Sequence, residues 1–138
     1  MIVYAFTDGA ARGNPGESGI GVIYKDERGV TLTELSGYIG EATNNVAEYH
    51  ALLACLHGAS DLKCSKLVVH SDSELMVRQL RGEYKVKDPG LKRLFLKVQH
   101  LLGDASFAFE IKHVTRDLNQ EADRLANLGI DSRKRLRI

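Results

Sequence analysis

The 138-residue chain predicts an α/β domain on a five-stranded mixed sheet, with three strands antiparallel and the others brought in parallel by helical crossovers. Three observations predict it. Residues 1–40 hold three successive apolar or β-branched runs separated by short turn-rich connections, the pattern of an antiparallel meander. After Thr43 the apolar period lengthens to that of a helix, and helix-like and strand-like stretches then alternate to the end. With 43% hydrophobic and 27% charged residues, a chain of this length buries one substantial core, so residues 1–138 are expected to form one domain.

The first strand is expected over Met1 to Phe6, where Ile, Val, Tyr and Phe supply strand chemistry. It runs into Asp8 and then a glycine-rich stretch, Gly9 to Gly16, that reads as a loop. Ser18 to Lys25 is the second strand, its glycines leaving room for close backbone approach. Asp26 to Gly29 turns, and Val30 to Gly40 is the third strand. Val46, Ala47, Leu52, Leu53, Leu56 and Ala59 then predict a helix of about four turns, with Asn45 and Glu48 spaced as a capping box. Glu48 nonetheless shares the apolar face of Leu52, Cys55 and Ala59.

Lys66 to Ser71 is a short β-branched strand that again stops at an acid, Asp72. Asp72 or Ser73 is placed to cap a helix through Leu75, Met76, Val77 and Leu80. Arg81 to Gly90 reads as a basic loop, followed by a helix from Leu91 that ends at Gly103. Ser106 to Val114 alternates as a fifth strand with Phe107, Phe109 and Ile111 on one side, and His113 continues that inner face. Asn119 to Leu128 is a last helix, expected to stop at Gly129. In the basic tail, residues 133–138, Leu136 and Ile138 either dock against the domain or fray with it.

Composition narrows the function classes. No apolar run has membrane-spanning length and no secretory signal opens the chain, so a cytoplasmic protein with no membrane association is expected. Cys55, Cys64 and the five histidines make no zinc-site spacing, and the two thiols read as reduced and inert. A net charge of +1 announces no nucleic-acid binder, so any basic footprint must be local. No exposed apolar cluster is evident, and a monomer is expected.

Four acids carry the chemistry. Asp8 and Asp72 each end a strand, Glu48 heads a buried helical stripe, and Asp123 sits on the last helix. Carboxylates are almost never fully buried unless paired or ligating, and four brought together repel unless cations neutralise them. Oxygen donors of this kind suit a hard divalent ion, Mg²⁺ or Mn²⁺, and a pair of such ions is the usual device for phosphoryl transfer. The competing reading is four unrelated caps and turns, since no spacing rule joins positions 8, 48, 72 and 123.

Four blocks of the sequence together resemble a known family. Asp8-Gly-Ala-Ala-Arg-Gly-Asn-Pro-Gly16, Thr43-Asn-Asn-Val-Ala-Glu48, Ser71-Asp-Ser73, and His113-Val-Thr-Arg-Asp-Leu-Asn-Gln-Glu-Ala-Asp123 are similar to the successive motifs of ribonuclease H type 1, in order and over nearly the whole chain. The resemblance implies the ribonuclease H-like fold and metal-dependent endonucleolytic hydrolysis of the RNA strand of RNA/DNA hybrids, leaving 5′-phosphate and 3′-hydroxyl ends. It implies Asp8, Glu48, Asp72 and Asp123 as ligands of two Mg²⁺ or Mn²⁺ ions, and Gly9, Asn14, Asn44 and Asn45 as readers of the RNA strand beside Glu48. Thr43 matches a position that holds a phosphate of the DNA strand.

The chain departs from the family in three places. Glu41 stands where an arginine often precedes that threonine by two residues. Arg78 to Lys87 is short and the chain has no Trp, where larger members carry a long basic protrusion, which leaves Arg78, Arg81, Lys85, Lys87, Lys92 and Arg93 as the candidate hybrid contacts. The assisting loop histidine lacks an obvious equivalent; Arg116 is the auxiliary candidate, preferred to His113. Alternatives are a nuclease of the same fold acting on double-stranded RNA or branched DNA, and a catalytically silent hybrid-binding module.

Overall fold

A computed structural model describes residues 1–136. Its sheet runs in the order β3-β2-β1-β4-β5, with β1 (Ile2–Gly13), β2 (Gly16–Lys25) and β3 (Thr31–Ala42) antiparallel. β4 (Lys66–Ser71) and β5 (Ala108–His113) add in parallel beyond β1. The expected five-stranded mixed sheet is therefore the one observed. Helices α1 (Asn44–Asp61), α2 (Glu74–Leu80) and α3 (Pro89–Asp104) join these strands, and α4 (Gln120–Ser132) closes the chain.

Side-chain alternation sorts the helices onto two layers. Val3, Ala5, Val22 and Tyr24 point to one face, where they pack with Leu52, Cys55 and Ala59 of α1 and with Leu94 and Val98 of α3. Tyr24 crosses this core to donate to the Cys55 carbonyl at 2.8 Å. On the other face α4 lies on β1, β2 and β3. It comes so close that a Cβ on Gly21 would stand 2.3 Å from the Ala122 carbonyl oxygen, so the glycines of β2 are there to admit a helix backbone.

Several expected boundaries move, each for a tertiary reason. Gly9 to Gly13 is strand, because β1 stays paired with β2 until Gly13 meets Gly16 and only Asn14 and Pro15 turn the hairpin. Thr43, not Asn45, caps α1, its hydroxyl accepting from the Val46 amide. Ser73 caps α2. α3 starts at Pro89 and takes in Gly90, because the Asp88 carboxylate accepts from the Leu91 amide at 2.9 Å and proline suits a first helical turn. β5 is shorter than the alternation suggested, and His113 is exposed rather than packed because it is the last residue of this edge strand, paired with Ser71 on one side only. α4 passes through Gly129, which packs on the backbone of Gly37 instead of ending the helix.

The tail docks. The Tyr38 amide donates to the Lys134 carbonyl at 2.8 Å, Arg133 and Arg135 lie over the Tyr38 ring, and Leu136 packs beside Ile20, Ala51, Ala54 and Ile39. Ile138, the other residue expected to dock, lies outside the described residues. No helix among the described residues is long and apolar enough to cross a membrane.

Candidate active site

The sheet pairing itself brings the first two acids together. β1 and β4 run in parallel, with Thr7 opposite Ser71 as the last pair, so the next residues, Asp8 and Asp72, leave adjacent strands side by side. Asp8 remains paired with Gly21 on its other side, which holds its backbone within the sheet. Glu48 arrives from the first turns of α1. There the chain passes so near β1 that a Cβ on Gly9 would clash with the Ala47 carbonyl, 2.2 Å from its carbon. A bare Gly9 lets its amide donate to the Glu48 carboxylate at 2.8 Å, a buried bond that fixes the acid.

Asp8, Glu48 and Asp72 each offer an oxygen within 4.8 Å of the others. Asp8 and Glu48 are 5% and 3% exposed, far more enclosed than acids ordinarily tolerate. Burial first, and then repulsion from Glu48 and Asp72, pushes the Asp8 carboxyl up to about 10. Burial and Asp72 likewise hold Glu48 well above the usual carboxylate range, while the Gly9 amide and Arg116 pull it back. Asp123 is exposed and outside the group of three, yet it lies close enough to Asp8 to push that carboxyl up further.

This donor set fits a divalent cation. Three clustered oxygens, two of them enclosed where their charges are uncompensated, are the hard-ligand arrangement that Mg²⁺ or Mn²⁺ takes, with Asp123 on the open side. Neither thiol competes for such a role, since burial pushes Cys55 up to about 12 and Cys64 is buried and pushed up as well.

Residues expected to contact substrate fall into two groups. Asn14, Thr43, Asn44 and Asn45 are all exposed, and the Asn14 side chain accepts from the Asn44 amide at 2.9 Å, pinning the β1–β2 hairpin to the start of α1. With Gly9 behind them they form one polar ledge beside Glu48. Lys85 and Lys87 are exposed in the loop between α2 and α3, where Arg78 lies over the Tyr84 ring. Arg81 is drawn away from that role because its guanidinium donates to the Ile111 carbonyl at 2.9 Å. Arg116 opens a short 3₁₀ turn, Arg116–Leu118, and its field reaches Glu48.

Sequence reasoning missed the residues that place Asp123. Asn119 is 1% exposed, and its amide donates to the Thr7 carbonyl at 2.8 Å, tying the start of α4 to the residue before Asp8. Asn127, one turn beyond Asp123, donates to its carbonyl at 3.0 Å and its carboxylate at 3.3 Å. Arg12 in turn donates to Asn127 at 3.2 Å and to Asp131 at 2.6 Å, joining the hairpin to α4. The i,i+4 spacing of Asp123 and Asn127 was a readable signal; the Arg12 and Asn119 contacts span over a hundred residues and were not.

The geometry agrees with known proteins. A family profile described as "Reverse transcriptase-like" matches residues 6–129. The ribonuclease HI of Halobacterium salinarum is 40% identical over 129 residues, 94% of this chain and 64% of that protein. The bifunctional protein Rv2228c of Mycobacterium tuberculosis is 41% identical over 133 residues, 96% of this chain but only 36% of its own length. This chain thus spans less than two thirds of either relative. The crystal structure of LC11-RNase H1 in complex with RNA/DNA hybrid superposes with a TM-score of 0.91 at 46% identity, covering 94% of this chain and 97% of that one. With its carboxylates gathered where β4 ends beside β1 and its fold shared over almost its whole length, the chain belongs to the ribonuclease H type 1 family.

Proposed function

We propose that this chain is an endoribonuclease that hydrolyses the RNA strand of RNA/DNA hybrids, with residues 1–138 acting as a single ribonuclease H domain. One observation carries the reading: Asp8, Glu48 and Asp72 from distant parts of the chain converge with Asp123 beside them, and two of them are buried at a cost that a bound cation offsets. The crystallised relative in complex with a hybrid supports the choice of substrate. Asp8, Glu48, Asp72 and Asp123 would hold two Mg²⁺ or Mn²⁺ ions. When bound, such ions supply water activation at neutral pH and stabilisation of charge on the leaving oxygen.

The chain's own residues do the rest. The ledge of Gly9, Asn14, Thr43, Asn44 and Asn45 meets the hybrid beside Glu48, with donors and acceptors suited to a 2′-hydroxyl, the group that distinguishes RNA from DNA. Arg116, an exposed cation whose field reaches Glu48, can meet a phosphate oxygen or help release the 5′-phosphate product. Lys85 and Lys87 supply sequence-independent phosphate contacts. The protein works as a cytoplasmic monomer.

The test is a cleavage assay on end-labelled RNA/DNA hybrid, RNA duplex, branched DNA and single strands, each with Mg²⁺, Mn²⁺ or chelator. Cutting confined to the hybrid's RNA strand and abolished by chelator is the expected result. Cutting of RNA duplex or branched DNA alone refutes the substrate assignment, and hybrid binding without cutting refutes the activity.

A further inference from the structure

A broad concavity lies apart from the acidic site. A groove of about 990 Å³ runs along the outer side of α1, with α3 as one wall and β3 with the docked tail as the other. Its apolar surface comes from Ile20, Ile39, Leu53, Leu96 and Leu136. Its cations are Lys92, Arg93, Lys97 and Arg135, and no aspartate or glutamate lines it among the described residues. His50 of α1 lines the groove together with Lys97 and Arg93 of α3. Leu96 at the lip is 56% exposed, an aliphatic side chain left in water between cations.

His50 follows Glu48 by two residues, about 200° around the helix, so the groove and the carboxylates lie on opposite sides of α1. An occupant must therefore satisfy the groove's own chemistry, which is aliphatic below and uniformly positive above. Phosphodiester backbones match the cations but leave the aliphatic floor without a partner, whereas a peptide that alternates carboxylates with aliphatic side chains matches both.

We infer that this groove is a docking surface for an acidic, aliphatic-rich peptide segment of a partner protein, which it would hold beside the nuclease site without covering it. The surface stands whether or not the nuclease assignment holds, because none of the four acids belongs to it.

The experiment is fluorescence anisotropy of a labelled peptide alternating Asp and Leu, against one with Lys for Asp and one with Ser for Leu. Both substituted peptides are expected to bind about tenfold or more weakly than the acidic aliphatic one. Lys97→Glu and Leu96→Asp, at exposed positions where folding is insensitive, should each cut affinity for the acidic peptide about tenfold and leave hybrid hydrolysis unchanged. Equal binding of the Lys-substituted peptide, or unaltered affinity in both variants, overturns the proposal. So does loss of hybrid affinity in the two variants together with displacement of the peptide by hybrid, which would make the groove a nucleic-acid track.

Discussion

Burial and three neighbouring acids make ionised Asp8 and Glu48 costly when no cation is present. Both carboxyls are raised in the fold, so above the ordinary carboxylate range the folded state retains protons that the unfolded chain has released. Stability must then fall as pH rises through the interval between the unfolded value and the raised one. In chelator, the melting temperature should be higher at pH 5 than at pH 8, and Mg²⁺ should raise it more at pH 8. Asp8→Asn should abolish hydrolysis, flatten the chelator profile and raise the metal-free melting temperature at pH 8; a lowered one would contradict the account. Asn127 acts at the same scale through Asp123. Asn127→Ala should weaken metal binding about tenfold by calorimetry, with activity partly restored by added Mg²⁺, whereas a loss of activity that no metal concentration relieves would show that Asn127 is not a positioning residue. Arg116 and His113 are separable in the same assay. Both are exposed, so neither alanine variant should disturb folding, and Arg116→Ala is expected to cost more turnover than His113→Ala.

At the scale of elements, two junctions hold the site. The β1–β2 hairpin is fastened to α1 by Asn14 and to α4 by Arg12, so one turn fixes both the substrate ledge and the helix that carries Asp123. α4 rests on β2 and β3 through glycines, and its far end continues into the tail that caps the β3 side. Removing residues 133–138 takes away the Tyr38–Lys134 bond and the apolar contact of Leu136. Burial of one leucine is worth about 1.5–3 kcal/mol, reduced here because Leu136 is only partly enclosed. A drop in melting temperature of about 3–6 °C is expected for a domain of this size, with hydrolysis at 25 °C retained. No shift on deletion would mean that the docked tail contributes nothing.

For the molecule as a whole, a net charge of +1 and a short basic loop limit how strongly phosphates are held. With Lys85 and Lys87 in that loop and Arg78, ion-paired with Glu74 in α2, beside them as the main cations, hybrid binding by the Asp8→Asn protein should show a shallow salt dependence, a slope near −3 in log K against log salt. Replacing both lysines by alanine should reduce that slope by about 2. The sequence by itself determined the five strands and their order along the chain, because apolar period, turn residues and β-branched runs are local properties that any window of the chain displays. It also singled out Asp8, Glu48, Asp72 and Asp123 as unusual, since an acid ending an apolar run or heading an apolar stripe is visible without a fold. What only the tertiary structure decided are the matters settled by partners far away in the chain. Pairing with β2 turned the supposed loop after Asp8 into strand, the backbone of Gly37 carried α4 through Gly129, and a place at the end of the edge strand β5 left His113 in water. The same distance rule explains Asn119 and Arg12, whose bonds form only after β1 and α4 have packed, and explains why the cluster's raised proton affinities belong to the fold and not to any one residue.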